Sequence, residues 1–379
     1  MRMESFGRAS VSDFLGERMV YRNLVPLDPQ LPALSDLREM FSLPPHDVPR
    51  KSEPDYARTI VKILERAQEI EHPGSPLKRL IYVGDTRLND GRAFGNLCRA
   101  SGWAGRAFIC SENRDPPSVE IERLDDASAL NFANRWGALS GTFENIPGFP
   151  IDEHTAVVID LDKTAIGARG RNDQVIDQAR ADAIRMTARK LLGQDFNDSA
   201  FQNAYSQLNQ VEFHAFTFDN QDYLAYICLI VSGGYRDLDR LISEVRSGKL
   251  VTFEQFISQV DQKESLLPEA LNHLHGDVFA KVQAGDPTPF KEFRRNEYLK
   301  TVERMRFLSD SAPAGRMLSE EIVITREVLE FALECQAEGA LLFGLSDKPD
   351  EASLPDGEQV AAGYLPIHRT PAHVVGMLD

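Results

Sequence analysis

The segment VVIDLDKT, residues 157–164, constrains the fold of this chain most strongly. Its apolar residues suit a strand buried on both faces, because such strands read as continuous apolar runs and occur mainly in parallel sheets. The run ends in Asp160 and Asp162, two carboxylates one residue apart. Ligands of open parallel sheets gather outside the carboxyl ends of the strands. The segment therefore predicts an α/β protein whose chemistry lies at one edge of a parallel sheet.

Three further apolar runs have the same character. RLIYVGD (79–85) and RAFIC (106–110) are separated by GRAFGNLCRASGW, which has the composition of a helix. ALLFGLSD (340–347) follows ITREVLEFALECQAEG, whose apolar residues recur at helical spacing. Alternating strands and helices of these lengths are typical of a parallel sheet covered by helices.

Residues 169–319 differ from the rest of the chain. They mix polar and apolar residues with helical periodicity, as in QVIDQARADAIRMTARKLL, and contain no apolar run of the buried-strand type. We therefore expect an all-α domain at 169–319, inserted into an α/β core formed by 1–168 and 320–379. The Pro-rich segment from Val25 to Pro49 is expected to be an ordered but irregular lead-in.

Net charge restricts the partners. The 379 residues include 42 Lys and Arg against 58 Asp and Glu, a net charge of −16. Such a balance argues against a general nucleic-acid surface or an anionic membrane as the partner. An anionic substrate would instead need a local positive site, such as a bound metal ion.

Cysteine spacing and the N-terminal segment bear on the compartment. Cys98, Cys110, Cys228 and Cys335 are far apart and lack a zinc-like spacing, so unpaired thiols in a reducing compartment are expected. The start, MRMESFGRASVSDF, lacks the apolar core of a signal peptide, and no apolar run approaches the roughly 20 residues that cross a bilayer. These features predict a cytoplasmic protein.

Four carboxylates follow the predicted strands. Asp160 and Asp162 end one run, and Asp85 and Asp90 follow another in YVGDTRLND. Residues two apart in a strand point the same way, so Asp160 and Asp162 are expected to address one small volume. Crowded carboxylates repel one another unless a cation lies among them, and hard oxygen ligands favour Mg²⁺. A magnesium site formed by all four carboxylates is predicted.

At this point the residues resemble a known family, the haloacid dehalogenase superfamily of phosphohydrolases. Its first motif, two Asp one residue apart followed by Thr, is similar to Asp160, Asp162 and Thr164 in DLDKT. Its second, a Ser or Thr that ends an apolar strand, is similar to Ser346 in LLFGLSDKP. The latter resembles the variant found in phosphoglycolate-phosphatase-like members.

The remaining two motifs lie earlier in the chain. The third, a Lys before a helix, resembles Lys51 in PRKSEPDY, and the fourth, a Gly-Asp followed by a further acid, resembles Asp85 and Asp90. Other basic residues could replace Lys51: Arg50, Lys62 and Lys78.

The order of the motifs implies a circular permutation. The third and fourth motifs precede the first, and the second follows the helical insertion, whereas the family runs from first to fourth. In the family the strands of the fourth and first motifs are neighbours, so the new termini would fall between the second and third motif strands. The resemblance implies a permuted Rossmann-like core, and it implies that 169–319 is a helical cap of the first type.

The resemblance also implies a mechanism. Asp160 would attack a phosphoryl group and form an aspartyl phosphate, and Asp162 would act as general acid and then base. Thr164 would position Asp162 and its loop, Ser346 and Lys51 would hold phosphoryl oxygens, and Asp85 and Asp90 would place Mg²⁺. Within the expected cap, Arg294 and Arg295 in KEFRRNEYLK are candidates for substrate binding.

Alternative interpretations remain at this stage. A small phosphorylated metabolite is the expected substrate, but a phosphotransferase or phosphomutase uses the same aspartyl phosphate. A non-hydrolytic phosphate-binding regulatory module would also combine acids, a hydroxyl group, a Lys and magnesium. The purely structural alternatives for the acids are helix N-caps and Asx turns. For the two arginines the structural alternative is a solvated helix face.

Overall fold

A computed structural model describes residues 2–44, 47–144 and 146–378. Within them the chain forms sixteen α-helices and ten β-strands, so the predicted α/β class is confirmed. The chain divides into two compact units, one formed by 1–177 with 301–379 and the other by 178–300. The predicted boundaries, 168 and 320, lie outside those of the second unit.

The first unit contains a seven-stranded sheet in the order β2-β9-β7-β3-β4-β6-β5. Neighbouring strands are parallel except β5, which runs antiparallel to β6 at one edge. The strands are β2 (Met19–Val20), β3 (Arg79–Gly84), β4 (Ala104–Cys110), β5 (Val119–Arg123), β6 (Ser128–Ala133), β7 (Thr155–Asp160) and β9 (Leu341–Leu345).

The four predicted strands correspond to β3, β4, β7 and β9. Every residue of β7 and β9 is buried, which explains their continuous apolar sequence. The sequence did not indicate β2, β5 or β6. β2 has two residues, β5 is exposed along its length, and β6 contains Ser128 and Asn131 among its buried residues.

A second, three-stranded sheet joins the two ends of the chain. Its order is β1 (Met3–Ala9), β10 (Ala372–Met377), β8 (Ile324–Thr325), with β1 antiparallel to β10. The second half of the segment PIHRTPAHVVG (366–376) is thus a regular strand that pairs with β1. The lead-in contains one helix, α2 (Leu34–Phe41), and residues 45 and 46 of it lie outside the described ones.

Helices cover the seven-stranded sheet. Tyr82, Val158 and Phe343 are paired in register across β3, β7 and β9, and they belong to one buried cluster with residues of α3 and α4. The helices of this unit are α1 (Ser12–Leu15), α2, α3 (Pro54–Glu71), α4 (Asn89–Ser101), α5 (Leu139–Phe143), α14 (Ala314–Glu320), α15 (Arg326–Ala337) and α16 (Gly357–Ala361).

The second unit is helical, and within the described residues no strand lies between β7 and β8. Its own buried cluster is rich in aromatic residues, among them Phe213, Phe253 and Phe290. Its helices are α7 (Asp198–Leu208), α8 (His214–Thr217), α9 (Gln221–Ser232), α10 (Leu238–Arg246), α11 (Phe253–Asp261) and α12 (Glu269–Gln283); α6 (Asp173–Leu192) and α13 (Lys291–Arg304) run across its boundaries. That this unit acts as a cap stays a prediction.

Two further sequence expectations concern the whole chain. All four cysteines are buried and unpaired, as expected. Over the described ranges, the protein has no helix with both the length and the apolar character needed to cross a bilayer.

Candidate functional site

The candidate site lies at the carboxyl ends of three neighbouring parallel strands. β7 is the middle strand, with β3 on one side and β9 on the other. Val83 is paired with Ile159, and Asp160 with Leu345, so the three strands end at nearly the same level. Asp160 therefore lies close to Asp85, which follows β3, and to Ser346, which follows β9.

Three carboxylates meet at this edge. Asp85, Asp90 and Asp160 are all buried, and each has a carboxylate oxygen within 4.8 Å of one from the others. Gly84 allows this close approach, because a Cβ at that position would lie 2.7 Å from Asp90 Cγ. Any larger residue at position 84 would displace Asp90.

Lys51 neutralises part of this charge. It precedes α3, whose first residue is Pro54, and its Nζ donates to Asp90 Oδ1 at 2.6 Å and also to Asp160 Oδ1. Burial alone would lower the pKa of Lys51, but Asp160 and Asp90 outweigh it and raise that pKa well above its usual value. Lys51 is therefore a permanently charged counterion of the cluster.

Asp90 is saturated with hydrogen bonds. Its Oδ1 accepts from Lys51 and from the Tyr82 hydroxyl at 2.9 Å, and its Oδ2 accepts from the backbone N–H of Asp85 and from the N–H and hydroxyl of Thr86. Burial would raise the pKa of Asp90, but Lys51 and these donors hold it far below its usual value. The arrangement favours a positioning role for Asp90 over metal coordination.

Asp160 and Asp85 have fewer donors than Asp90. Asp160 Oδ2 accepts from the Thr164 hydroxyl at 3.2 Å, and Asp85 Oδ2 accepts from the Arg169 guanidinium. Burial raises the pKa of Asp160 to about 7, with Lys51 lowering it and Asp90 raising it further. Burial, Asp90 and Asp160 raise the pKa of Asp85 well above its usual value, against Arg169. Both carboxylates would gain from a bound cation.

Asp162 departs from the expected position. β7 ends at Asp160, so the alternation of a strand does not extend to Asp162. In the described part of the chain, the carboxylate group that could hold a metal consists of Asp85, Asp90 and Asp160, without Asp162. The Asp162 carboxylate instead lies 3.9 Å from Lys348 Nζ. The strand alternation on which we based one shared volume for the two acids does not extend to Asp162, because the chain turns after Asp160. That Asp162 acts beside Asp160 stays a prediction.

Ser346 and Lys348 belong to the loop after β9. Both are buried, and the Ser346 hydroxyl accepts from the Lys348 backbone N–H at 3.1 Å. The Lys348 ammonium group faces Asp162, a candidate site residue. Lys348 thus brings a second ammonium group to the edge of the sheet.

Arg294 and Arg295 lie in the helical unit. The Arg294 guanidinium is buried and donates to Asp222 at 2.7 Å and to Glu297 at 2.6 Å. Its donors are directed to the interior of that unit, which explains this residue without a ligand. Arg295 is exposed.

The donor set suits a hard cation. Carboxylate oxygens are the ligands preferred by Mg²⁺, and three of them converge here in a buried site. Asp160 and Asp85 are the best placed, because the oxygens of Asp90 are already occupied by five donors. The chemistry of the donor set therefore fits the predicted metal at this edge.

Four contributing residues were missed by sequence reasoning: Tyr82, Thr86, Arg169 and Lys348. Tyr82 lies inside an apolar run and reads as a core residue. A signal existed for Thr86 and Lys348, since each lies within two residues of a recognised motif residue. Arg169 lies nine residues from Asp160, and nothing in its spacing indicates a contact with Asp85.

Comparison with known proteins adds no relative. No protein-family model, no curated protein and no solved structure matches this chain.

Proposed function

We propose that this protein is a Mg²⁺-dependent phosphohydrolase of the haloacid dehalogenase type, acting on a small phosphorylated metabolite through an aspartyl phosphate. One observation carries the proposal: buried Asp160 contacts the Lys51 ammonium and lies within 4.8 Å of two further carboxylates at the end of a parallel sheet. A nucleophile, a fixed cation and hard metal ligands are thereby present in one small volume.

The sheet order supports the permuted interpretation. The strand that precedes Asp85 lies directly beside the strand of Asp160, as the family resemblance requires, although 70 residues separate β3 from β7 in sequence. The strand of Ser346 flanks β7 on its other side. The strands β1 and β10 pair with each other. Circular permutation creates new termini that lie next to each other in the fold, and this pairing is compatible with such an arrangement.

The proposed reaction uses Asp160 as nucleophile. One carboxylate oxygen attacks phosphorus, the bond to the leaving oxygen breaks, and Asp162 donates a proton to that oxygen. Asp162 then takes a proton from water, which attacks phosphorus and releases inorganic phosphate and the free Asp160 carboxylate. Lys51 and Ser346 stabilise the phosphoryl oxygens electrostatically.

Bound Mg²⁺ would neutralise charge between the carboxylates and the phosphoryl group. Asp160 and Asp85 would hold it, and Asp90 would keep Lys51 in place. A cation there also favours the ionised, nucleophilic form of Asp160, whose pKa in the metal-free protein is raised to about 7 by burial.

The test is phosphate release from p-nitrophenyl phosphate and a panel of sugar phosphates, nucleotides and phosphoglycolate, with Mg²⁺ or with EDTA. We expect turnover only with Mg²⁺ and a loss of about a thousandfold or more in Asp160→Asn, as for other removed nucleophiles. Asp115→Asn, which changes an exposed aspartate, is the matched control and should keep full activity.

The outcomes separate the candidates. Turnover that survives in Asp160→Asn, or in EDTA, would contradict the mechanism. A phosphoryl group trapped on Asp160 without release of phosphate would favour the phosphotransferase or the regulatory module over the phosphohydrolase. Activity confined to one compound of the panel would direct attention to the residues that select the substrate.

A further inference from the structure

Arg169 is a second cation at the carboxylate cluster. Its Nε donates to Asp85 Oδ2, and the two side chains form an ion pair. Within the described residues, this is the only hydrogen bond that the Arg169 side chain makes to the protein. The two terminal nitrogens of the guanidinium are therefore left for solvent or for a ligand.

The two cations of the cluster differ in exposure and in the number of carboxylates that hold them. The Lys51 side chain is 6% exposed and is fixed by two carboxylates, whereas the Arg169 side chain is 31% exposed and held by one. The Asp85 side chain is itself only 6% exposed, so its carboxylate would be left without a counterion if Arg169 moved away unreplaced. Arg169 can therefore leave Asp85 only when another cation takes its place, whereas Lys51 is fixed by two partners.

The backbone of Arg169, by contrast, is fixed. Its N–H donates to the Lys163 carbonyl at 2.8 Å, and its own carbonyl accepts from the Glu112 N–H at 3.1 Å. The next residue, Gly170, has φ +77° and packs so closely that a Cβ would overlap the Glu112 carbonyl oxygen. The side chain of Arg169 can thus change direction while its backbone stays fixed beside the cluster.

We propose that Arg169 exchanges partners during the reaction cycle: it is the counterion of Asp85 in the metal-free protein and binds the phosphoryl oxygens of the substrate once Mg²⁺ takes Asp85. The phosphate half of this inference rests on the proposed function. The metal half rests only on the cluster and on the contact between Arg169 and Asp85. A planar guanidinium with two free terminal nitrogens matches a phosphoryl group, to which it donates two parallel hydrogen bonds.

The exchange predicts two effects of opposite sign in Arg169→Gln. Mg²⁺ should bind about fivefold more tightly, because a competing cation is gone. Inorganic phosphate in saturating Mg²⁺ should bind about tenfold more weakly, because a charge-assisted hydrogen-bonding group is lost. Arg169→Lys, which keeps the charge without the planar fork, should leave the Mg²⁺ affinity near the wild-type value and still weaken phosphate binding.

Both affinities can be measured without turnover. The Mg²⁺ midpoint is read from thermal unfolding of EDTA-treated protein titrated with MgCl₂, and phosphate binding from calorimetry with sodium phosphate. Arg316→Gln is the matched control, because Arg316 lies in the same unit, is 55% exposed and pairs with a carboxylate away from the cluster. It should change neither affinity.

Each of these measurements tests the exchange of partners by Arg169. An unchanged Mg²⁺ midpoint in Arg169→Gln, while wild type binds Mg²⁺, would overturn the exchange and leave the proposed function standing. Phosphate binding by Arg169→Gln that equals binding by wild type would also overturn the exchange and leave the proposed function standing. Weakening of both ligands together would show a merely structural Arg169. Absence of any Mg²⁺-induced shift in wild type would instead overturn the metal site on which the proposed function depends, and the exchange with it.

Discussion

One cluster of buried charged side chains lies at the strand ends of the α/β unit, and another lies within the helical unit. In the helical cluster two acids, Asp222 and Glu297, are paired with two arginines, Arg180 and Arg294. At the strand ends three carboxylates lie within 4.8 Å of one another and contact two cations, Lys51 and Arg169.

The two clusters differ in charge balance and in purpose. Paired acids and bases whose donors and acceptors are matched hold helices together and need no ligand. A residual negative charge in a buried site, by contrast, costs free energy unless a cation is supplied from outside. An imbalance of buried charge, and not burial of charge alone, is therefore the feature that distinguishes the proposed site from the helical cluster.

Removal of Lys51 should cause the largest loss of stability and turnover. Lys51→Met leaves Asp90 and Asp160 without their common counterion, so we expect the EDTA-treated protein to lose about 3–5 kcal/mol of unfolding free energy. Turnover should fall by about a hundredfold to a thousandfold, because a donor to the transferred phosphoryl group is lost. Mg²⁺ should restore part of the stability, since a metal can substitute for the missing charge in this cluster.

Chemical denaturation with and without Mg²⁺ measures these changes. Lys62→Met, at an exposed lysine of α3 that pairs with Glu65, serves as the control and should behave like wild type. Equal stability of Lys51→Met and wild type in EDTA would show that the cluster does not need its lysine, and the charge-imbalance argument would fail.

The helical cluster should respond differently to the same kind of change. Arg294→Met leaves Asp222 and Glu297 buried without this arginine, so a loss of up to about 3–5 kcal/mol is again expected. Mg²⁺ should not reduce that loss, because the Asp222 carboxylate accepts from the Phe290 N–H at 3.0 Å and is part of a packed helical interior. The measurement is the same pair of denaturation curves, and rescue of Arg294→Met by Mg²⁺ would remove the distinction between the clusters.

The sequence predicted the parts of this structure that depend on simple periodicity. β3, β7 and β9 were found because burial on both faces leaves an unbroken apolar run, and the meeting of Asp85 with Asp160 follows from parallel strands ending at one edge. The pairing of β1 with β10 was not found, because β1 is partly exposed and β10, although buried, has only Val374 and Val375 as a continuous apolar stretch.

The remainder of the site depends on side-chain directions in loops, which periodicity does not determine. The position of Asp162 does not follow from strand alternation, because the strand ends two residues before it. The contact between Arg169 and Asp85 joins two loops that are 84 residues apart. Arg294 was selected as a basic residue on a helix, and only the fold shows that two acids lie within 2.7 Å of it.

The last expected effect is a pH dependence that belongs to the strand-end cluster. Burial raises the pKa of Asp160 to about 7, against about 3.9 in an unfolded chain, so between these values the folded protein binds more protons than the unfolded one. The contribution of this group to stability is then fully present below about pH 4 and is lost as the pH rises through 7. One such proton gives a slope of at most about 1.4 kcal/mol per pH unit.

The difference between wild type and Asp160→Asn isolates this slope in EDTA. Between pH 4 and 7, the unfolding free energy of wild type should fall with pH relative to that of Asp160→Asn, which has no proton to lose at this position. The pKa of Asp85 is raised by burial, by Asp90 and by Asp160. The amide in Asp160→Asn removes the last of these three causes. Saturating Mg²⁺ should abolish the fall in the unfolding free energy of wild type between pH 4 and 7, because the bound ion favours the ionised carboxylates. Parallel curves for the two proteins in EDTA would mean that Lys51 and Arg169 already balance the cluster, and the strand-end acids would then resemble the helical ones.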